Sequence, residues 1–209
     1  QYSSRRRIRN MPPLDDRGLE HPLIGKKYWC HLPDDESLWT IGTVEKVFQG
    51  KVTLLRQHAP GSVHETKVVV DEDKIPKMTP VIADDVDHPE ETDDLVNLRD
   101  PRESTMLHVL RERYSQDSIF TNIGPVLAVL NPYKQVPACK AASLHELSRM
   151  EPEAVPSHAF KIASAAYAGL VEESPGCPQS ILVSGESGAG KTETTKLLVA
   201  CLALVSNSS

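Results

Sequence analysis

The chain has 209 residues, of which 39% are hydrophobic and 25% charged, and its formal net charge is −6. This composition is typical of a globular protein with a sizeable core. The negative charge argues against nucleic-acid binding, and the longest apolar run, residues 197–205, is too short to span a membrane. The four cysteines form no C-x-x-C pair, which favours a reducing, cytoplasmic location without a zinc site.

Residues 1–24 are predicted to be an N-terminal extension, with one densely basic run at Arg5–Arg9. Such a run near a terminus is typical of a solvated tail. Residues 25–80 are predicted to form a small all-β barrel. Its strands are expected at residues 28–32, 38–48, 51–57 and 66–70, separated by turns at 33–35, 49–50 and 59–62. The expected core residues are Trp39, Ile41, Val44, Val47, Val52, Leu54 and either Val68 or Val70.

Residues 81–94 carry a dense acidic run around His88 and Pro89, which we interpret as a solvated linker. The more specific alternative is that these carboxylates form a binding site for Ca²⁺. The run lacks the spaced ligands, central glycine and terminal glutamate of a Ca²⁺-binding loop. A connector between the barrel and a second domain over residues 95–209 is therefore the favoured interpretation.

The first elements of the second domain are a helix and a strand. Asp100 would cap the helix, whose buried face would carry Leu107, Leu110 and Tyr114. The apolar run 126–130 is typical of a strand that is buried on both sides. Strands of this kind, alternating with helices, predict an α/β fold with a central parallel or mixed sheet.

A second helix is expected over about residues 157–173, and its apolar face would comprise Phe160, Ala163, Tyr167, Leu170 and Val171. A turn at 174–176 would end this helix. Residues 180–184 are predicted to form a short buried strand. A third helix would follow, and its apolar face would comprise Leu197, Leu198, Cys201, Leu202 and Val205.

Between this strand and the third helix stands the complete pattern G-x-x-x-x-G-K-[ST], which predicts a phosphate-binding loop. Glycines permit a compact turn whose backbone N–H groups point at phosphate oxygens, and the following helix adds the positive end of its dipole. Lys191 would bring a positive charge to the β- and γ-phosphates, and the Thr192 hydroxyl would bind Mg²⁺. The predicted phosphate-binding residues are Gly185, Glu186, Ser187, Gly188, Ala189, Gly190, Lys191 and Thr192.

From about Gly25 onward, the order of these motifs resembles the N-terminal part of a myosin heavy chain. The phosphate loop has the myosin form of the general pattern over residues 185–193. The other similar stretches are residues 93–98, the entry to the motor; 107–114, its first helix; 131–137, the loop that contacts the purine; and 156–160, the start of the helix before the phosphate loop.

This resemblance implies an SH3-like subdomain over residues 25–80, followed over residues 95–209 by the beginning of a P-loop NTPase-type motor. It implies an actin-based motor of the cytoplasmic cytoskeleton, which binds ATP and Mg²⁺ and hydrolyses MgATP. Thr192 would be the metal ligand and Lys191 a stabiliser of transition-state charge, while no general base, light chain or cargo is assignable. The purine loop would contribute Asn131, Pro132, Tyr133 and Lys134 around the base and ribose.

One position of the purine loop departs from the family pattern. Myosins usually have a tyrosine beside the adenine two residues beyond the second proline, where this chain has Cys139. A thiol cannot stack on a base as a phenol ring does. The departure predicts weaker or different binding of adenine.

Two other functions remain open from the residues alone. A small P-loop kinase would share the order of strand, loop and helix, but it leaves the purine-loop and barrel resemblances unexplained. A non-enzymatic interaction module would use Tyr28, Trp29 and Trp39 to line a groove for a proline-rich peptide, although small barrels often use aromatic residues for their own packing. The 209-residue segment by itself is expected to show no turnover.

Overall fold

The computed structural model describes residues 21–31, 39–56, 66–173 and 178–208 and divides into two compact units, Gln1–Ala83 and Asp84–Ser209. No helix in the described ranges is long and apolar enough to cross a membrane. Several sequence predictions lie outside the described residues, namely the basic run Arg5–Arg9 and the turns at 33–35, 59–62 and 174–176.

The first unit contains a four-stranded antiparallel sheet whose strands pair in chain order. These strands are β1 Lys27–His31, β2 Trp39–Phe48, β3 Lys51–Arg56 and β4 Thr66–Asp71, followed by a 3₁₀ helix at Glu72–Lys77. Gln49 and Gly50, both with positive φ (50° and 67°), form the two-residue hairpin between β2 and β3, as predicted. On the outer side of β1, the Trp29 amide donates to Thr79 O at 2.8 Å, so the chain after β4 returns to this edge. This small sheet fits an SH3-like unit.

The core of this sheet contains most of the residues expected from the sequence. Val44 and Val47 are both buried although they are three positions apart, because a bulge between Val44 and Lys46 shifts the register. Trp39 is only partly buried. The confirmed core residues are Ile41, Val44, Val47, Val52 and Leu54, with Val68 and Val70 packed against them in part.

The second unit combines helices with a two-stranded sheet. The helices Ala159–Ala168 and Lys191–Ser208 pack on each other and share one apolar core with the strand Phe120–Ile123 and the helix Ala141–Leu147. Phe160, Ala163, Leu198 and Cys201 are buried there, which confirms the predicted face of the second of these two helices and the first part of the predicted face of the other. The prediction was wrong for Leu170 and Val171, which are 41% and 48% exposed and lie in the π-helical turn after Ala168. The elements are α1 Ala83–Val86, α2 Glu103–Ser115, β5 Phe120–Ile123, β6 Val126–Val129, α3 Ala141–Leu147, α4 Ala159–Ala168 and α5 Lys191–Ser208. Shorter helical turns lie at Pro89–Glu91, Leu95–Asn97, Pro137–Cys139 and Pro152–Ala154, and a π-helical turn at Gly169–Glu173.

The sheet of the second unit differs from the prediction. β6 pairs antiparallel with β5, and Val126 is 60% exposed, so this apolar strand is not buried on both sides. Residues 180–184 form no strand, since no described strand lies beside them to supply hydrogen bonds. Their burial nevertheless alternates, because Ile181 and Val183 pack on the core while Leu182 is 90% exposed. The apolar composition of residues 180–184 alone was therefore not sufficient to predict that they pair with another strand.

Helix α2 also differs from the prediction in its start and its buried face. It begins at Glu103, with Arg102 as N-cap and no side-chain capping bond, and the predicted cap Asp100 pairs with the Arg102 guanidinium at 2.9 Å. Its buried face contains Val109 and Arg113. The predicted face was wrong for Leu107 and Tyr114, which are each 38% exposed.

The acidic segment is solvated only in part: Asp84, Asp87, Glu90 and Glu91 are exposed, whereas three other carboxylates bind backbone amides. Asp85 is 4% exposed, and its carboxylate accepts hydrogen bonds from the amides of Arg99 and Asp100, both at 2.9 Å. Asp93 and Asp94 also accept backbone hydrogen bonds, the former from the Ser157 amide and the latter from the Gly124 amide. These carboxylates are held in the fold by N–H groups, which a charge count along the sequence cannot show.

Candidate nucleotide-binding site

The phosphate loop of residues 185–190 leads directly into α5. Gly188 and Gly190 have φ values of +81° and +94°, in the left-handed region that favours glycine. The Ala189 amide donates to Glu186 O at 3.2 Å, and the Thr194 amide makes the first helical bond, to Gly190 O at 2.9 Å. The glycines therefore allow the compact turn that the sequence pattern predicts.

The backbone amides at the start of α5 are available to a ligand. In the described part of the chain, no protein group accepts a hydrogen bond from the amides of Gly188, Gly190, Lys191 and Thr192. The first amides of any helix lack partners within the helix, and they carry the positive end of its dipole. This arrangement suits an anion such as a phosphate group.

The side chain of Lys191 folds back over the loop. Its Nζ donates to Gly185 O at 2.9 Å and to Glu186 O at 2.7 Å. An ammonium group has three donors, so two of them hold the loop and the third can reach a ligand. The side chains of Glu186, Ser187 and Thr192 are exposed, and the Thr192 hydroxyl therefore lies at the surface, where a hydrated cation could bind.

Asn131 links the predicted purine loop to the phosphate loop. Its Nδ2 donates to Gly188 O at 2.8 Å, and its Oδ1 accepts from the Tyr133 amide at 3.0 Å. The second bond holds Tyr133 in a left-handed conformation, with φ at 51°. The structure thus brings together two loops that the sequence analysis singled out separately.

The purine loop is also fastened to the end of α2. The Tyr114 hydroxyl donates to Asn131 O at 3.2 Å, and Lys134 pairs with Asp117 at 2.6 Å. Sequence reasoning missed both anchors, because nothing in the spacing of Tyr114 or Asp117 relates them to residues 131–134. Tyr133 itself is 85% exposed and packs on none of the core.

A cleft of about 560 Å³ lies between the purine loop with the residues that follow it and the beginning of α5, and the end of the phosphate loop borders it at Ala189 and Gly190. This volume is within the range of small-molecule sites. Its walls include Asn131, Lys134, Cys139, Gly190 and Glu193. Cys139 therefore stands in the cleft, and partial burial raises the pKa of its thiol, so that the protonated form predominates at neutral pH.

Two further titratable groups lie near this cleft. Burial, with a smaller contribution from Cys139, raises the pKa of Cys201 to about 11. Burial lowers the pKa of His158, whose Nδ1 accepts from the Phe160 amide at 2.9 Å and whose Nε2 donates to Ala138 O at 3.1 Å. The bond from the Phe160 amide requires the neutral ring, because a protonated His158 has no acceptor at Nδ1.

One group of possible metal ligands occurs among the described residues, and it lies apart from the phosphate loop. It comprises His88, Glu90 and Glu91, all exposed, with ligand atoms within 4.8 Å of one another. His88 Nδ1 lies 3.5 Å from Glu90 Oε1, so the two side chains form an ion pair when the imidazole is protonated. Thr192 at the start of α5 remains the predicted metal ligand of the nucleotide site.

Comparisons with known proteins agree with the sequence resemblance. The family model described as Myosin head (motor domain) matches residues 92–209, more than half of the chain. The Myosin-H heavy chain of Dictyostelium discoideum is 32% identical over 174 residues, which cover 83% of this chain and 9% of that protein. Myosin-8 of Arabidopsis thaliana is 36% identical over 194 residues, covering 88% of this chain and 11% of that protein.

A third relative has higher identity over a shorter stretch. The High molecular weight form of myosin-1 of Acanthamoeba castellanii is 42% identical over 104 residues, which cover 50% of this chain and 6% of that protein. The chain thus spans 6% to 11% of the length of these three relatives. By its family match and its relatives, the chain belongs to the myosin head (motor domain) family.

Proposed function

We propose that this chain supplies ATP-binding elements of an actin-based myosin motor. The observation that carries the proposal is the phosphate loop at the start of α5, which lies next to the Asn131 loop and in which the amides of Gly188, Gly190, Lys191 and Thr192 have no acceptor among the described residues. Phosphate binding by a P-loop of the general type does not require a contact with a second loop such as the one at Asn131. The neighbouring cleft of about 560 Å³ supports a nucleotide rather than a bare phosphate as the ligand.

In this proposal, the phosphate loop contacts the phosphates of the nucleotide and the purine loop contacts its base and ribose. The amides of residues 185–192 bind the phosphate oxygens, and Lys191 offsets the charge on the β- and γ-phosphates. Thr192 provides a hydroxyl ligand to Mg²⁺, which would neutralise phosphate charge when bound. Pro132, Tyr133 and Lys134 lie on the side of the base and ribose, and Cys139 occupies the wall where other myosins have a tyrosine.

The proposed domain organisation follows the same family pattern. Residues 25–80 would form the SH3-like subdomain, residues 81–94 would connect it, and residues 95–209 would contribute to the motor domain. Hydrolysis of MgATP, coupled to movement along actin filaments in the cytoplasmic cytoskeleton, would be an activity of the intact protein. No group among the described residues is assigned as a general base.

The proposal is tested by the ATPase activity of the intact protein that carries this sequence, with and without actin filaments. We expect Mg²⁺-dependent hydrolysis that actin accelerates, and loss of hydrolysis in the variant Lys191→Met. Phosphoryl transfer to an added acceptor, with no effect of actin, would overturn the proposal in favour of a P-loop kinase. Absence of nucleotide binding would leave the SH3-like unit as an interaction module.

A further inference from the structure

We propose that Asn131 is a positioning residue for the phosphate loop, acting through the Gly188 carbonyl rather than through contacts with the base and ribose. This inference rests on the proposed nucleotide-binding function. It changes the role that the family resemblance implies for Asn131. We therefore expect the affinity for ligands that consist of phosphate alone to depend on Asn131.

The orientation of the Asn131 side chain is determined by its two partners. Nδ2 donates to Gly188 O at 2.8 Å, and Oδ1 accepts from the Tyr133 amide at 3.0 Å. A carbonyl oxygen only accepts and a backbone amide only donates, so a flipped carboxamide would lose both bonds. Both ends of the carboxamide are therefore engaged by protein groups.

The bond to Gly188 orients one peptide unit of the phosphate loop. Because a peptide unit is planar, holding Gly188 O also fixes the direction of the Ala189 N–H, which donates to Glu186 O at 3.2 Å. Gly188 has a φ of +81° and no side chain, so the bond from Asn131 and the bond from the Ala189 amide are the contacts that restrain this unit at its two ends. Removal of the Asn131 carboxamide would let the unit reorient in the turn that surrounds the phosphates.

Asn131 can restrain the loop because it is itself anchored. Its carbonyl accepts from the Tyr114 hydroxyl at 3.2 Å, and Lys134, three residues later, pairs with Asp117 at 2.6 Å. Tyr114 lies in the last turn of α2. The contacts thus run from the end of α2, through Asn131, to the middle of the phosphate loop.

The test compares inorganic pyrophosphate with ADP as ligands of the intact protein, by titration calorimetry in the presence of Mg²⁺. Asn131→Ala removes both side-chain bonds. Asn131→Ser keeps an oxygen that can accept from the Tyr133 amide but is too short to reach Gly188 O. Asn97→Ala, at an exposed asparagine of the same unit, is the matched control.

Both Asn131 variants should bind pyrophosphate and ADP about three- to tenfold more weakly, by the same factor for each ligand, as expected for one lost hydrogen bond. Asn97→Ala should bind both like the wild type. A loss for ADP with unchanged pyrophosphate affinity would overturn the inference, since it assigns Asn131 to the base and ribose. A loss in Asn131→Ala that Asn131→Ser restores would overturn it too, because the Tyr133 bond would then be responsible.

The experiment distinguishes failure of the proposed nucleotide-binding function from failure of the role assigned to Asn131. If the wild-type protein binds neither pyrophosphate nor ADP, the proposed nucleotide function is wrong, and the inference falls with it. If the wild type binds both and the variants do so equally well, only the role of Asn131 is wrong. Equal thermal unfolding midpoints of wild type and variants are required, so that the comparison concerns the loop and not the fold.

Discussion

Two polar networks in the second unit contrast in how their donors and acceptors are used. Arg113 is 6% exposed, and its guanidinium donates to Thr121 Oγ1, Glu90 O, Phe120 O and Asp93 Oδ1 at 2.9 to 3.3 Å. The phosphate loop is exposed, and the amides at the start of α5 have no protein acceptor among the described residues. In the first network the protein accepts four hydrogen bonds from the guanidinium, and the second has donors available to a ligand.

The difference follows from the cost of desolvation. A buried guanidinium destabilises the folded state unless its hydrogen bonds are satisfied, so the Arg113 network can only be complete. An exposed helix N-terminus is solvated by water, and a phosphate can replace that water without new burial of unpaired groups. The contrast predicts that mutations in the first network change stability, whereas mutations in the second change ligand affinity.

Loss of the Arg113 guanidinium should have the largest effect. Arg113→Met removes the donor from two backbone carbonyls and a buried hydroxyl, and we expect a loss of about 3 kcal/mol in the free energy of unfolding. Urea denaturation followed by circular dichroism measures it. Arg149→Met, at an exposed arginine, is the control and should stay within about 0.5 kcal/mol of the wild type. Equal stability of the two variants would break the contrast.

Removal of the Lys191 ammonium should act on the ligand instead. Lys191→Met should weaken pyrophosphate and ATP binding by about ten- to hundredfold, as expected for a charged hydrogen bond to phosphate. The unfolding free energy should change little, because the carbonyls of Gly185 and Glu186 are exposed and water can replace the ammonium. Lys67→Met, which removes an exposed charge in the first unit, should leave affinity unchanged. Unfolding of Lys191→Met would instead assign Lys191 to the fold.

The variant Cys139→Tyr tests whether the wall of the cleft at residue 139 lies beside the base of a bound nucleotide. Aromatic stacking on a base contributes about 1 to 3 kcal/mol, so ADP and ATP should bind at least about fivefold more tightly. Pyrophosphate binding should not change, because it has no base. Parallel titrations of the three ligands measure the effect. Unchanged ATP and ADP affinities would contradict the role assigned to this wall of the cleft.

The smallest effect concerns pH and His158. Its folded-state pKa is lowered, mainly by burial, below the ordinary value of 6.5, so the unfolded chain takes up the proton first. Its stabilising contribution is complete above pH 6.5 and is lost as the pH falls through the folded-state pKa. His158→Asn, whose Oδ1 can still accept from the Phe160 amide, should weaken this pH dependence. Unfolding free energies of both proteins across this range test it, and parallel curves would contradict the assignment.

Local patterns in the sequence predicted much of the fold. The strands β1–β3, the Gln49-Gly50 hairpin, the buried face of α5, and the glycines of the phosphate loop are all determined by residues close together in the chain. Their physical causes act over one or two turns or one strand pair. Such features can be inferred without knowledge of the rest of the structure.

The structural predictions that were wrong concern features that depend on residues far apart in the chain. Residues 180–184 have the composition of a strand, but a strand requires a hydrogen-bonded neighbour, which the described structure does not supply. Asp85, Asp93 and Asp94 have the composition of a linker, but backbone amides elsewhere in the unit bind their carboxylates. The contact of Asn131 with Gly188 joins residues 57 positions apart. No spacing rule relates these partners.

The long-range contact of Asp93 with Ser157 also bears on the order of folding. It closes a loop of 64 residues, and the Asn131 contact closes one of 57. Closing loops of this length costs chain entropy before any contact is gained, so such contacts form late and slow the folding reaction. During synthesis, residues 93–157 leave the ribosome before the phosphate loop exists. The contact of Asn131 with the ligand-binding loop is therefore expected to form after the contact of Asp93 with Ser157.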